Sequence, residues 1–257
     1  MSRKIVSLNG LWNYEVNGKS MGYKQVPFSA LCVGRSVCET EFVRPEGKRC
    51  FLCFEGITYA AEVFINGHCL GKMLAYSFYR FDVTALLNEK HNVLRVEVED
   101  MNLPFGPSEG WENYGGIIRD VYLLVTDDVM IEDVIWRTEV EADQSAAQCT
   151  VEVELNGGEG NVKVTLHDHF GRPVFCTRQS SKAGKAILRF GLDNPQLWSP
   201  DMPCLYSLTV GVGTDEVTER VGIKDFRAVG QRFFLNGQPL FLKGVCRHDL
   251  YGDVGHT

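Results

Sequence analysis

Apolar and polar side chains alternate with a period of two along most of this 257-residue chain, and two is the period of a β-strand. Residues 61–66 (AEVFIN) alternate and run into Asn66-Gly67, a dipeptide that favours a two-residue hairpin turn. Residues 92–98 (NVLRVEV) set Val93, Leu94, Val96 and Val98 against Arg95 and Glu97, and 117–125 (IIRDVYLLV) read as another strand. Beyond Met130 the segments IEDVIWRTEVEA, QCTVEVEL, NVKVTLHD, PVFCTRQ, KAILRFGL, LYSLTVGV and EVTERVGI recur at roughly 8–15-residue spacing, parted by Gly, Asn or Asp. No segment carries the spacing of an amphipathic helix. The chain is predicted to be all-β, with its second half an immunoglobulin-like sandwich.

Composition narrows the partners. A formal net charge of -7 argues against nucleic acid. No apolar run approaches the ~18 residues that span a bilayer, and MSRKIVSLNGLW lacks the apolar core of a signal peptide. Nine cysteines stand singly: Cys32, Cys38, Cys50, Cys53, Cys69, Cys149, Cys176, Cys204 and Cys246. Cys50 and Cys53, three apart in an extended run, point to opposite faces and cannot share a metal. The nine are expected to be small buried reduced thiols, and their odd number favours the cytoplasm.

His167-Asp168-His169 puts two imidazoles on one face of a strand, where they could share zinc. The segment leads directly into Phe170-Gly171-Arg172-Pro173 and offers no evident further ligand, so a polar strand end is expected. Neither a metal nor a cofactor is predicted. No phosphate-binding loop, dinucleotide motif or nucleophile elbow is present.

Two polar clusters draw functional interest. The apolar run Leu240-Phe241-Leu242 passes through Lys243-Gly244-Val245 into Arg247, His248 and Asp249, as a strand does when it opens a site at its carboxyl end. An Arg247–Asp249 ion pair that fixes a loop is the simpler alternative. Between the strands at 92–98 and 117–125 lies MNLPFGPSEGWENYGG, rich in Gly and Pro, which reads as a long loop. Its Trp111 offers a flat apolar face for a sugar ring or a plug for an interface.

Several segments together resemble the N-terminal half of the glycoside hydrolase family 2 enzymes, the β-galactosidases, β-glucuronidases and β-mannosidases. They are LNGLW at 8–12; GITYAAEVFING at 56–67 with Gly71, Phe81-Asp82-Val83-Thr84 and Leu87; NYGGIIRDV at 113–121; NPQLWSP at 194–200 with Pro203 and Leu205-Tyr206; and FLNGQP at 234–239 with LKGV at 242–245 and Arg247-His248-Asp249. The resemblance implies a jelly-roll-like sugar-binding sandwich over 1–127, an immunoglobulin-like sandwich over 128–228, and a stub of a (β/α)8 barrel over 229–257. In this family two glutamates from later barrel strands carry out retaining hydrolysis, so none of the 33 acidic residues here would be catalytic.

The resemblance further implies that, in a full-length protein, Arg247, His248 and Asp249 line the sugar subsite. A loop of the first domain also reaches the sugar with an acidic side chain. Here the spacing departs from the family pattern, placing Gly110 at that position and leaving Glu109 or Glu112 as substitutes, beside Trp111. The expected partner is a terminal β-linked sugar, with subunit contacts in a homo-oligomer open. A stand-alone carbohydrate-binding module is the alternative, marked by exposed Trp111, Tyr114, Tyr76 and Tyr79.

Overall fold

A computed structural model describes residues 3–30, 34–99 and 115–246, and among them every regular element is a strand. The chain forms two compact units, one built on Lys4–Val125 and the other on Thr126–Val245 together with Arg3.

In the first unit, β1 (Lys4–Ser7), β5 (Arg49–Phe54), β9 (Tyr79–Asp82) and β12 (Val121–Thr126) form a four-stranded sheet in the order β1-β12-β5-β9. Six strands form the larger sheet: β2 (Gly10–Val16), β3 (Lys19–Val26), β4 (Arg35–Phe42), β7 (Ala60–Ile65), β8 (His68–Leu74) and β10 (Asn92–Glu99), ordered β3-β2-β4-β10-β7-β8. A short pair, β6 (Ile57–Thr58) with β11 (Gly116–Ile117), closes one end. Register turns alternation into layers. Val96 lies opposite both Cys38 and Val63, and all three are fully buried. One residue along, Glu97 points to the opposite face of the sheet, where it is buried beneath two guanidinium groups: Arg95 Nε donates to it at 2.9 Å and Arg35 pairs with its other oxygen. Trp12 fills the interior and its indole N–H donates to the Leu8 carbonyl at 2.8 Å, satisfying its one polar atom.

The turn at Asn66-Gly67 forms as expected, with φ of 50° and 82° joining Ile65 to His68. Asn17-Gly18 and Asn236-Gly237 take the same left-handed pair of conformations. Asn66 also works as a brace: its Oδ1 accepts from Val93 N–H, and its Nδ2 donates to the Leu86 carbonyl at 2.8 Å.

Cys50 sits in the core with Leu52 and Phe54, and Cys53 faces the other way. Burial pushes the Cys50 thiol up to about 11 and those of Cys53 and Cys149 up to about 12, so they stay protonated at neutral pH. The expectation of burial fails elsewhere. Cys69 and Cys176 lie on the edge strands of their sheets and are exposed, as is Cys246, while Cys204 is half-buried.

In the second unit, β13 (Met130–Val140), β14 (Ala146–Asn156) and β17 (Lys185–Asp193) form one sheet. The other holds β15 (Asn161–His167), β16 (Pro173–Ser180), β18 (Tyr206–Val212) and β19 (Asp215–Val221), ordered β16-β15-β18-β19. This is an immunoglobulin-like arrangement of three strands against four. Val151 and Val153 of one sheet, and Val162, Val164, Leu208 and Val210 of the other, bury every second side chain in a common core. Tyr206, at the start of β18, accepts the Gln196 N–H on its hydroxyl at 2.9 Å, the tyrosine-corner contact of such sandwiches.

Residues beyond this sandwich form a small antiparallel sheet of β20 (Phe226–Val229), β21 (Arg232–Leu235) and β22 (Gln238–Leu240). The strand anticipated through Leu242 stops at Leu240. Phe241 is 82% and Val245 93% exposed, and β22 pairs with β21 alone among the described strands.

A buried charge ties Arg3 to the second unit. Asp215, 2% exposed, accepts Arg3 Nε at 2.8 Å, Arg3 Nη2 at 2.7 Å and the Ile131 N–H at 2.7 Å. Arg3 Nη2 also donates to the Ile131 carbonyl. Burial alone would raise the Asp215 carboxyl, but the Arg3 hydrogen bonds and the Ile131 N–H outweigh it and hold the group below its ordinary value. A carboxylate depressed on folding stabilises above its unfolded pKa of about 3.9 and loses that contribution as pH falls through the folded value. Arg3→Ala leaves a buried charge unpaired and is expected to cost about 3–5 kcal/mol at neutral pH. In urea denaturation the gap from the parent should narrow as pH drops below about 4; a gap independent of pH would contradict this account.

Candidate functional site

The residues singled out from sequence, Glu109, Trp111 and Glu112 in one segment and Arg247, His248 and Asp249 in the other, lie outside the described residues, as does Tyr114. What the structure describes is the framework from which the first segment departs and to which it returns.

That framework is one end of the first unit. The chain leaves β10 at Glu99, which is paired on one side with Arg35 and on the other with Ala60. It returns at Gly115, whose N–H donates to the Ala30 carbonyl at 2.9 Å and whose carbonyl accepts the Ala30 N–H at 3.0 Å. Phe28 N–H then donates to Ile117 at 2.7 Å, and Ile118 N–H donates to the Gly56 carbonyl. Both anchor points are therefore fixed by strand pairing rather than by side chains.

Gly116 is required in this position. Its φ is +148°, and a Cβ there would stand 2.5 Å from the Phe28 carbonyl oxygen. Opposite Gly116 lies Thr58, fully buried, whose Oγ1 has no hydrogen-bond partner among the described residues. The Tyr59 ring packs edge-on against Tyr76 with centroids 6.2 Å apart, and Tyr76 N–H donates to the Ile57 carbonyl. Of this group the sequence offers only Tyr76, as one of the aromatics of a carbohydrate-binding face; Thr58 and Tyr59 enter only through the family-like segment GITYAAEVFING. Tyr76, Phe78 and Leu74 are exposed here. Tyr79 does not join them as a free sugar platform: its hydroxyl accepts the Leu74 N–H at 2.8 Å and its ring stacks on Phe81.

The polar strand end at 167–169 is as anticipated. Asp168 Oδ1 accepts the N–H groups of Phe170 and Arg172 at 2.9 Å, and Oδ2 pairs with the Arg172 guanidinium. Desolvation raises this carboxyl, yet the Arg172 and Phe170 bonds bring it below its usual value. Among the described residues no three His, Cys, Asp or Glu side chains converge as a metal site. Asp120 of the IIRDV segment accepts from Asn9 Nδ2 at 2.9 Å, and Asn9 Oδ1 accepts the Val121 N–H, joining LNGLW to β12.

Replacing Gly116 by alanine is expected to lower the unfolding free energy by more than about 1 kcal/mol. Gly67→Ala, where an added Cβ meets nothing within 4 Å, should cost less. Chemical denaturation of the two variants side by side checks the ranking, and equal losses would show that close approach at Phe28 is unimportant.

Residues 33–104 match the family profile described as the glycosyl hydrolase 2 galactose-binding domain-like, and residues 129–224 match that of glycosyl hydrolases family 2. A β-glucuronidase of Bacteroides fragilis is 33% identical over 84% of this chain and 35% of its own length. A β-galactosidase of Thermoanaerobacter pseudethanolicus is 30% identical over 82% of this chain and 31% of its own. The chain spans between a fifth and about a third of the length of curated relatives it matches. Among solved structures, a β-glucuronidase from an uncultured Clostridium superposes with a TM-score of 0.81 at 26% identity, covering 99% of this chain and 50% of that one. Two consecutive domain matches over two sandwiches of the corresponding fold mean that the chain belongs to glycosyl hydrolases family 2.

Proposed function

We propose that the chain is the N-terminal, non-catalytic portion of an exo-acting, β-galactosidase-like glycosidase that removes terminal β-linked sugars with retention. The observation that carries this reading is the lopsided coverage: 84% of this chain aligns with a relative of which it accounts for only 35%. Two carboxylates about 5–5.5 Å apart, as retaining hydrolysis needs, would come from a barrel of about 250 residues. The role left to these residues is to buttress that barrel and to present one segment, 100–114, to the sugar. Gly115 and Glu99 suit it, since strand pairing holds both ends of the segment. Trp111 would stack on the sugar, Glu109 or Glu112 would accept from a hydroxyl, and Arg247, His248 and Asp249 would line the same subsite.

Two measurements test the reading. The coding sequence past Thr257 should continue into alternating strands and helices with two glutamates at strand ends, and a stop codon there contradicts it. Calorimetric titration of the 257-residue chain with galactose, then with glucuronate, should give no saturable heat at millimolar sugar. Saturable binding would favour a stand-alone carbohydrate-binding module instead.

A further inference from the structure

The sequence holds five Asn-Gly dipeptides, at 9–10, 17–18, 66–67, 156–157 and 236–237, and all five lie among the described residues. Such a pair can do more than turn the chain. Glycine has no side chain to shield its backbone nitrogen, so that nitrogen can attack the neighbouring carboxamide carbon once the asparagine side chain swings onto it. The fold decides where that approach is open.

At four of the five the carboxamide is pinned to main chain. Asn9 Nδ2 donates to Asp120 Oδ1, and its Oδ1 accepts the Val121 N–H. Asn66 Oδ1 accepts the Val93 N–H, and its Nδ2 donates to the Leu86 carbonyl and to Asn92 Oδ1. Asn236 Oδ1 accepts the Asp225 N–H at 2.9 Å, and its Nδ2 donates to the Trp198 carbonyl at 3.1 Å. Asn17 Oδ1 accepts the Arg35 N–H, and its own N–H returns to the Arg35 carbonyl. The Asn17 amide is also packed so closely on Gly34 that a Cβ there would stand 2.2 Å from Oδ1. Rotating any of these side chains strips a backbone N–H of its acceptor.

Asn156 is held differently. Its Nδ2 donates at 3.1 Å to Oε2 of Glu132, an exposed side chain that can move with it or release it to water. Residues Gly157-Gly158-Glu159-Gly160 separate β14 from β15, and the first three of them are exposed. Gly157 N–H makes no backbone hydrogen bond among the described residues. Two consecutive glycines let the peptide plane between Asn156 and Gly157 turn at little steric cost.

We propose that Asn156 is the site at which the folded chain deamidates. The Gly157 nitrogen loses its proton to solvent base and bonds to Asn156 Cγ, and the side-chain amide nitrogen leaves as ammonia. One water then opens the resulting cyclic imide at either carbonyl, giving aspartate or isoaspartate. Either product replaces a neutral donor to Glu132 by a carboxylate, so two like charges stand where a hydrogen bond was. In the isoaspartate the main chain itself lengthens at the end of β14. The modification therefore records the age of the folded chain at one surface turn of the second unit.

The test incubates the folded 257-residue chain at mildly alkaline pH in heavy-oxygen water and follows each Asn-Gly peptide by mass spectrometry. The Asn156 peptide should lose its amide and take up solvent oxygen several-fold faster than the peptides of Asn9, Asn17, Asn66 and Asn236. Fragmentation should show both aspartate and isoaspartate there. The same chain held unfolded in urea should convert all five at similar rates, because the hydrogen bonds that separate them are gone. Asn156→Gln should remove the fast conversion and leave the four slow ones as they were. Conversion at Asn156 no faster than at the other four in the folded chain would overturn the proposal. So would the same ranking in urea, which would assign the difference to local sequence rather than to the fold.

Discussion

In both units the decisive constraint is that two sheets can share an interior only if their inward positions are apolar together. The side-chain period of a strand is two, so a slip of one residue would send every inward side chain to solvent. Val96 between Cys38 and Val63 shows the constraint in the first unit, and Val164 beside Val210 shows it in the second. Once these layers are set, the outward positions are free to carry charge, as with Arg95, Glu97 and Arg35. The ends of the strands become fixed points from which irregular segments can be hung. Placing chemistry on such segments and rigidity beneath them is a common division of labour in proteins.

Much of this was legible beforehand because it is local. Alternation reports on two neighbouring faces, and an Asn-Gly pair reports on one turn. The immunoglobulin-like unit could be read from spaced strands alone, and the galactose-binding-like character of the first unit from the resemblance of its segments to a family. What could not be read depends on distant residues meeting. Arg3 and Asp215 are 212 positions apart, and nothing near either one announces a buried ion pair. Gly116 looks like one of many glycines until the Phe28 carbonyl is seen beside it. The exposed Cys69 and Cys176 were misjudged because their runs look apolar while their strands lie at sheet edges.

The candidate site divides in the same way. Trp111, Glu109, Glu112, Arg247, His248 and Asp249 were chosen by residue type and by resemblance, and they fall in segments outside the described residues. For the segment 100–114 the flanking residues are described: Glu99 is paired on both sides and Gly115 is bridged to Ala30. His169 carries the opposite lesson. Its sequence neighbour His167 suggested a zinc-like pair, whereas folding delivers Cys204, from 35 positions away, to its ring nitrogen.

The central proposal is that this family 2 chain supports a glycosidase site whose carboxylate pair lies outside these residues. Incubating the purified 257-residue chain with chromogenic β-galactoside and β-glucuronide addresses that claim most directly. Release of chromophore should stay at the rate of the uncatalysed control for both substrates. Sustained turnover of either one would place a working acid and nucleophile within these residues and contradict the account.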